Sequence, residues 1–344
     1  MQSPNNRAII AAAGSRKTQH IIDQVLGDPS KRVLVTTYTN ENLNQIVNRL
    51  SAGTGILPSH VTVMGWFTFL MNQCARPYQS YVLGETGVMG ALNFLGKRHW
   101  SIPKSRPMHY YLDKSKAVYR NEVAALAHEA NERSGGKVVD RLGGMYDHIY
   151  VDEIQDMAGY DLDLLDSLMK SPIALTMVGD PRQATFSTNT AVRNKQYKGS
   201  RIVDWFSERS DLCAIDNRVE SYRCNQAICD FADDLYPKLP RTISKNAEIT
   251  GHDGIFDIKK TDVPEYVEKY SPVMLRWDRR TPTCGLEAMN MGASKGSTYD
   301  RVLIFPTKPM IAYYRTRDFN QLNEQAKFYV AVTRAKYSVT FVIP

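Results

Sequence analysis

The sequence predicts an α/β fold in which parallel strands alternate with helices. Apolar runs of strand length end abruptly in acidic side chains, as in Ile149–Asp152 and Ile173–Asp180. Helix-like segments follow such runs in both halves of the chain, which is the order expected of strand–helix–strand units. A loop of small residues precedes Lys17 and Thr18 near the start. At 344 residues, the chain has room for two such layers.

The loop at residues 11–18 has the composition of a phosphate-binding loop. It lies between an apolar run and a helix-like segment, so its backbone N–H groups would face phosphates at the helix N-terminus. Lys17 would reach the β- and γ-phosphates, and Thr18 would ligate Mg²⁺. Ala11 and Arg16 occupy the two glycine positions of the G-x-x-x-x-G-K-[ST] pattern. An ordinary turn of small residues is the alternative.

An acidic cluster follows the predicted strand near the middle of the chain. The apolar run ending at Val151 leads directly into Asp152 and Glu153, and Asp156 follows. An Asp at such a strand end commonly holds the Mg²⁺ of a nucleoside triphosphate, and a neighbouring Glu can orient the attacking water. A surface turn rich in acids is the alternative interpretation.

Polar and aromatic side chains follow the next two predicted strands. The run at residues 31–37 leads into Tyr38 and Asn40, whose side chains suit contacts to a sugar–phosphate backbone. Trp66 and Phe67 follow the run that begins at Val61. These rings could stack on bases. Packing in the core is the commoner position for aromatic residues such as Trp66 and Phe67. For Tyr38 and Asn40, an ordinary polar connection between a strand and a helix would explain the residues equally well.

Residues 74–136 break the alternation and are predicted to form a small inserted subdomain. Aromatic and basic side chains are interleaved there, and a helix-like stretch at 116–133 ends before Gly135 and Gly136. We interpret these side chains as placed to touch a strand of nucleic acid. A solvated basic face over a small core is the alternative.

Composition is that of an ordinary globular protein with a moderate basic excess. The net charge of +7 favours anionic partners only weakly. The five cysteines lack paired C-x-x-C spacing, so neither a zinc site, an iron–sulfur cluster nor a disulfide framework is predicted. Apolar runs fall far short of the ~20 residues of a membrane span, and no signal peptide opens the chain. We expect a cytoplasmic protein.

A series of segments, in order and almost from end to end, resembles the motifs of the UvrD/Rep-like superfamily 1 DNA helicases. They are residues 11–18, 37–40, 62–67, 152–156, 178–183, 221–223, 294–302 and 329–335. The resemblance implies two RecA-like domains, 1–211 and 212–344, with ATP in the cleft between them and single-stranded DNA across their tops. The first would carry the small helical insertion at about 74–136, and the second little or none.

The resemblance also implies roles for individual residues. Lys17 and Thr18 would hold phosphates and Mg²⁺, while Asp152 would bind the metal. Glu153 would act on the water. Gln183 would couple the γ-phosphate to the DNA side, and Arg223 and Arg334 would act as arginine fingers. Nucleotide contacts are implied for Ala13, Gly14, Ser15, Arg16, Lys17, Thr18 and Gly296. DNA contacts are implied for Thr37, Tyr38, Asn40, Thr62, Trp66, Phe67 and Lys295.

The chain departs from the family's pattern at several points. Arg16 replaces a motif I glycine, and no clear counterpart of the adenine-reading Gln precedes the loop. Gly292 and Thr298 stand where the family tends to have His and Glu. Only residues 224–291 separate Arg223 from Gly292, so we expect the large accessory subdomain of typical members to be absent or vestigial.

We therefore expect a minimal ATP-dependent single-stranded DNA translocase or helicase that uses ATP and Mg²⁺ and unwinds long duplexes weakly. Its expected partners are single-stranded or tailed duplex DNA, and a protein partner such as a nuclease is an option. One alternative is a nucleic-acid-stimulated ATPase subunit that regulates or loads such a partner. Another is an inactive nucleotide-binding scaffold, against which the complete catalytic set argues.

Overall fold

The computed structural model describes residues 5–322 and 324–344, which fall into two compact units. The first unit contains the residues up to Ile10, Thr18–Gly179 and Phe186–Asp216. The second contains Ala11–Lys17, Asp180–Thr185 and Asn217–Pro344. Its two short segments, 11–17 and 180–185, are the ones that carry the phosphate loop and Gln183. The predicted boundary between residues 211 and 212 stays a prediction.

The first unit is built on a six-stranded sheet. Its strands are β1 (Asn6–Ala11), β2 (Val33–Thr37), β3 (Val61–Gly65), β4 (His148–Asp152), β5 (Ala174–Gly179) and β6 (Cys213–Arg218). Their order across the sheet is β3-β2-β4-β5-β1-β6. Val35 pairs with Tyr150 in a parallel register, and so does Ile9 with Val178. Every residue of β2 is buried, which agrees with the apolar run at residues 33–35.

Helices connect these strands, as parallel pairing requires. They are Lys17–Gly27, Asn40–Ser51, Lys137–Met145, Tyr160–Met169 and Ile202–Ser207. In the second of them, Thr39 caps the N-terminus by accepting a hydrogen bond from the Asn42 backbone N–H at 3.2 Å. The same helix buries Ile46 and Leu50, which lie one turn apart on a single face. Local caps and one apolar stripe therefore explain this helix.

The predicted insertion combines short helices with long irregular segments. It follows a short α-helix, Trp66–Thr68, and a π-helical segment, Phe69–Ala75. The insertion contains helices Ser80–Leu83, Pro107–Tyr111 and Val123–Arg133 and a parallel pair of two-residue strands, Leu92–Asn93 and Val118–Tyr119. The helix predicted from residue 116 begins only at Val123, because Lys116 has a left-handed backbone (φ +65°) that no helix continues.

The second unit is built on a five-stranded sheet. Its strands are β7 (Gly254–Lys259), β8 (Val273–Arg276), β9 (Met289–Asn290), β10 (Tyr299–Phe305) and β11 (Ala335–Ile343). Their order is β7-β11-β10-β8-β9, and all neighbours pair in parallel. Its helices are Gln226–Asp233, Val263–Tyr270, Lys308–Thr316 and Gln325–Val332. The predicted α/β class with parallel sheets is confirmed.

Typical members of the family carry an accessory subdomain between the segments of Arg223 and Gly292. In this chain, the same stretch contributes helices and strands to the second unit. Between Arg223 and Gly292 the chain forms two helices and the strands β7, β8 and β9, all three of which belong to the five-stranded sheet. A short parallel pair, Glu220–Ser221 with Ile243–Ser244, flanks the first of these two helices in the chain. The expectation of little or no insertion in this half is therefore confirmed.

The five cysteines are all free thiols, and four of them are buried. In the part of the chain that the structure describes, no helix is both long enough and apolar enough to cross a membrane.

Candidate nucleotide and nucleic-acid sites

Thr18 and Asp152 meet at the carboxyl edge of the first sheet. Thr18 lies in the first turn of the helix that follows β1, and Asp152 ends β4 with 1% exposure. The Thr18 hydroxyl donates a hydrogen bond to Asp152 Oδ2 at 3.3 Å. Parallel strands place their carboxyl ends on one edge, which brings together residues far apart in sequence. Hydroxyl and carboxylate oxygens are the ligands that Mg²⁺ prefers, so this pair fits the predicted metal.

Glu153 is held in a defined orientation beside Asp152. Its backbone is left-handed (φ +60°), and its N–H donates to Asp152 Oδ1 at 2.9 Å. Its carboxylate accepts hydrogen bonds from Asn42 Nδ2 at 3.1 Å and from the side-chain amide of Gln155. Gly179 makes room for that amide, since a Cβ there would lie 2.2 Å from Gln155 Oε1. Backbone strain of this kind clusters at functional sites.

The phosphate loop, as part of the second unit, lies against the segment that carries Arg223. The Tyr222 N–H donates to Gly14 O at 3.0 Å. Gly14 is left-handed (φ +77°), and a Cβ at this position would lie 2.6 Å from Arg223 Cβ and 2.7 Å from Ser221 Oγ. Lys17 Nζ donates to Ala12 O at 3.3 Å. Only glycine fits at position 14, for both its backbone angle and the space beside it.

The structure brings together Gln183, Arg334 and the region around Arg223. Arg334 is 1% exposed, and its guanidinium donates to Gln183 Oε1 at 3.1 Å and to Ser297 O at 3.2 Å. Arg223 Nη1 donates to Thr333 O, next to Arg334, at 3.1 Å. Three side chains predicted from separate motifs therefore lie in one network of the second unit.

Tyr329 joins this network to the phosphate loop, a role that sequence reasoning missed. Its hydroxyl donates to Asp180 Oδ2 at 3.2 Å and accepts from the Ala13 N–H at 3.4 Å. Asp180 also accepts from Gln183 Nε2 at 2.8 Å. Burial, reinforced by the Asp180 charge, raises the pKa of Tyr329 well above its ordinary value. The phenol is therefore a permanent donor at neutral pH.

The remaining predicted nucleotide residues occupy more ordinary positions. Ser15 is buried within the loop. Gly296 has a left-handed backbone (φ +91°) and is exposed, and Lys295 is half-buried. Gly296 directly precedes Ser297, whose carbonyl accepts from Arg334. This turn is therefore tied to the arginine network through its neighbour.

Four aromatic rings form a row in the first unit. Tyr38 and Phe67, both half-buried, lie 5.7 Å apart between ring centres. Phe94 lies 5.7 Å from Phe67, and Phe186 lies 6.1 Å from Tyr38. Phe94 is 59% exposed and Phe186 is 43% exposed, so both ends of the row face solvent. Asn40 is exposed at the start of its helix, two residues after Tyr38. We call these four rings the aromatic row.

Sequence reasoning found the middle of the row and missed its ends. Phe186 follows Gln183 by three residues, which was a usable signal, because the loop after β5 shares its sheet edge with the loop after β2. Phe94 lies in the irregular insertion, where no periodicity indicates which side chain reaches the surface.

Two predicted nucleic-acid contacts need correction, and a third, at the half-buried Thr62, stays a prediction. Trp66 is fully buried and donates its indole N–H to Asp161 Oδ1 at 2.8 Å, so it packs in the core and cannot stack on a base. Thr37 is also fully buried, which removes its hydroxyl from the surface. Thr62 pairs with Leu34 near the amino end of β3. It therefore lies about 10 Å from the carboxyl end of that strand, where Phe67 follows.

The family described as the viral superfamily 1 RNA helicase core domain matches residues 104–343, more than half of the chain. The chain belongs to this family. The predicted membership of helicase superfamily 1 is confirmed. The UvrD/Rep-like subtype within that superfamily stays a prediction. Comparison with curated proteins found no match.

Two solved structures of the arterivirus helicase, nonstructural protein 10, have a similar fold to this helicase core. They share 14% and 13% sequence identity with it, and the TM-score is 0.52 for both. The matches cover 98% and 99% of this chain but only 60% and 61% of the arterivirus chains. One of the two is a complex with DNA. At this identity the likeness supports the fold alone.

Proposed function

We propose that this helicase core couples ATP hydrolysis to movement along single-stranded nucleic acid. The observation that carries the proposal is the contact between Thr18 and Asp152. The phosphate-loop helix and the acidic strand end were assigned to one triphosphate–Mg²⁺ site separately, and their side chains lie within hydrogen-bond distance. An ordinary turn at either segment would not require this pairing.

Each predicted residue has a role in this proposal. Lys17 and the backbone N–H groups from Ala13 to Arg16 bind the phosphates. Thr18 and Asp152 hold Mg²⁺, which neutralises charge on the phosphate oxygens when bound. Glu153 orients the attacking water, and hydrogen bonds from Asn42 and Gln155 fix the orientation of its carboxylate. Arg223 and Arg334 stabilise charge that develops on the γ-phosphoryl group, with Gln183 beside Arg334.

The aromatic row supports single-stranded nucleic acid as the second ligand. Aromatic side chains bind bases of any sequence through stacking, worth about 1–3 kcal/mol per base. The rings are accessible at both ends, and a duplex would keep its bases out of reach. We propose DNA as the substrate, as the UvrD/Rep-like resemblance implies. The family description names RNA helicases, so RNA is the direct competitor.

The test is phosphate release by the full chain with ATP and Mg²⁺, alone or with single-stranded DNA, single-stranded RNA or blunt duplex. We expect strong stimulation by the single strands and loss of turnover in Lys17→Ala. Lys31→Ala is the matched control, since Lys31 is an exposed lysine that pairs with nearby Asp28 and belongs to none of the predicted motifs. Wild-type turnover in Lys17→Ala would sink the assigned site. Stimulation by RNA alone would reassign the substrate and leave the enzyme class intact.

The aromatic row has its own test in strand binding. Phe94→Ala and Phe186→Ala should each weaken binding of a fluorescent single strand by about 5-fold or more, the equivalent of one lost stack. Leu26→Ala is the control, since Leu26 is 47% exposed, close to the 43% of Phe186, and lies outside both the row and the insertion at residues 74–136. Equal losses in all three variants would show that the row has no special part in binding.

The finer parts of the proposal concern subtype and partners. The UvrD/Rep-like resemblance implies 3′ to 5′ movement, and movement in the other direction would refute that subtype. The absence of a separate subdomain between Arg223 and Gly292, among the described residues, favours a second function. In this second function, the chain is an ATPase stimulated by nucleic acid that regulates or loads a partner such as a nuclease. Displacement of tailed duplexes of increasing length separates the two functions, because only a translocating helicase would displace the longer strands.

Cytoplasmic location remains part of the proposal.

A further inference from the structure

Arg16 combines a strained backbone with a contact to an aromatic ring. Its φ of +59° lies in the left-handed region, which favours glycine. Its guanidinium carbon lies 4.1 Å from the centre of the Tyr222 ring. A cation in this position is attracted to the ring face. The contact therefore stabilises a loop conformation that the arginine backbone alone would disfavour.

The Tyr222 ring is itself held in place from its other side. Its hydroxyl donates to Glu220 Oε2 at 2.9 Å, and Lys245 pairs with the same carboxylate at 3.0 Å. Its backbone N–H donates to Gly14 O at 3.0 Å. Side chain and backbone of Tyr222 thus both connect to the phosphate loop within the second unit. Together these contacts connect the phosphate loop to the segment that precedes Arg223.

We propose that Arg16 is a positioning residue for Arg223 and acts through Tyr222. Tyr222 directly precedes Arg223, so a restrained ring limits the movement of the backbone from which Arg223 extends. Arg16 directly precedes Lys17, so the same contact restrains the loop. This inference rests on the proposed function, in which Lys17 and Arg223 act on one triphosphate. Small errors in the placement of catalytic groups can lower rates by up to about 100-fold.

A direct phosphate contact by Arg16 is the competing explanation, and it makes different predictions. A direct ligand would change nucleotide affinity, and removal of the Tyr222 ring would not reproduce its loss. A positioning residue would change kcat with little change in KM. Loss of the ring would then have the same effect as loss of the guanidinium, and the two losses would not add.

The experiment is steady-state ATP hydrolysis by the full chain, with single-stranded nucleic acid, in Arg16→Gly, Tyr222→Leu and the double variant. Glycine is chosen because it relieves the left-handed strain, so misfolding of the loop is not the cause of any loss. We expect kcat to fall about 5-fold or more in each single variant, KM to change less than about 2-fold, and the double variant to match the singles. Arg16→Lys and Tyr222→Trp should restore much of the rate.

The chain offers a matched control at Arg317. Its backbone is also left-handed (φ +61°), and its guanidinium lies 4.2 Å from the Phe231 ring centre, but it belongs to none of the predicted motifs. Arg317→Gly should leave kcat within about 2-fold of wild type. A fall as large as that of Arg16→Gly would show a general effect of removing such contacts and would overturn the inference.

Other outcomes are also decisive. Three results would each overturn the inference: unchanged or faster turnover in Arg16→Gly, additive losses in the double variant, or an effect on KM alone. In each case, phosphate release by the wild-type chain would still support the proposed function. A wild-type chain that releases no phosphate with any nucleic acid would overturn the proposed function, and this inference with it.

Discussion

Replacing Gly14 with alanine should disable the phosphate loop. The added methyl group would lie 2.6 Å from Arg223 Cβ and 2.7 Å from Ser221 Oγ, at a backbone φ of +77°. The left-handed backbone costs an L-residue about 1–2 kcal/mol. Crowding in a packed site adds about 1–3 kcal/mol. The loop conformation should therefore be disfavoured by about 2–5 kcal/mol, which corresponds to about 30-fold or more in equilibrium.

The assay is binding of a fluorescent ATP analogue together with nucleic-acid-stimulated phosphate release. We expect affinity to fall by about 30-fold or more, since binding must first restore the displaced loop. Two other glycines separate the effect of the backbone angle from the effect of crowding. Gly55 is left-handed (φ +75°), but an added Cβ would meet no described atom within 4 Å. At Gly53 the backbone is not left-handed, and an added Cβ would likewise meet no described atom within 4 Å. Gly55→Ala should therefore show only a small loss of stability, and Gly53→Ala none. Near-wild-type affinity in Gly14→Ala would refute the reasoning.

Three further predictions concern the acids and a buried arginine. Glu153→Gln should slow phosphate release by about 100-fold or more while ATP affinity changes little, since only the water-activating group is lost. Burial raises the pKa of Asp161 to about 6. The native state therefore keeps a proton that the unfolded chain releases, so the free energy of unfolding should fall by up to about 3 kcal/mol between about pH 4 and pH 6. Asp161→Asn should remove that slope. Arg182→Met should lower the free energy of unfolding by about 3–5 kcal/mol, because two buried carboxylates would lose their cation.

Each of these has a control or an outcome that contradicts it. Wild-type turnover in Glu153→Gln would remove that residue from the reaction. A pH slope that persists in Asp161→Asn would assign the slope to another group. Arg280→Met is the control for Arg182, since Arg280 is 91% exposed in its side chain and pairs with nearby Asp278 at the surface. An exposed pair of this kind contributes about 1 kcal/mol or less. Equal destabilisation by the two substitutions would contradict the buried-pair argument.

Both parallel sheets follow from patterns that are visible along the chain. Buried parallel strands show as unbroken apolar runs, and polar residues that end such runs must gather at one sheet edge. For this reason the sequence predicts a shared site for Thr18 and Asp152, which are 134 positions apart and lie within hydrogen-bond distance. The left-handed backbone at Arg16 was likewise signalled by the glycine that the phosphate-loop pattern usually places there.

Other features depend on partners that no local pattern reveals. The strand Gly254–Lys259 and the helix Val263–Tyr270 were not predicted. Most of that strand is only partly buried, so it lacks the unbroken apolar run that marks a central strand. Its place at the sheet edge depends on pairing with β11, more than 80 residues later. Pairing of this kind is a long-range choice that local propensity cannot specify.

The sequence by itself determined the parallel α/β layers, the loop between the first strand and helix, and the strand that ends in Asp152, because each is encoded by residues that are adjacent in the chain. Only the tertiary structure decided which aromatic side chains face solvent. Trp66 is buried, and Asp161, 95 residues away, accepts its indole N–H. Its neighbour Phe67 instead joins the aromatic row with Phe94. Tertiary packing also placed Arg334 on Gln183. Burial and hydrogen-bond partners are properties of the assembled core, so a side chain's fate depends on distant residues that its own segment does not specify.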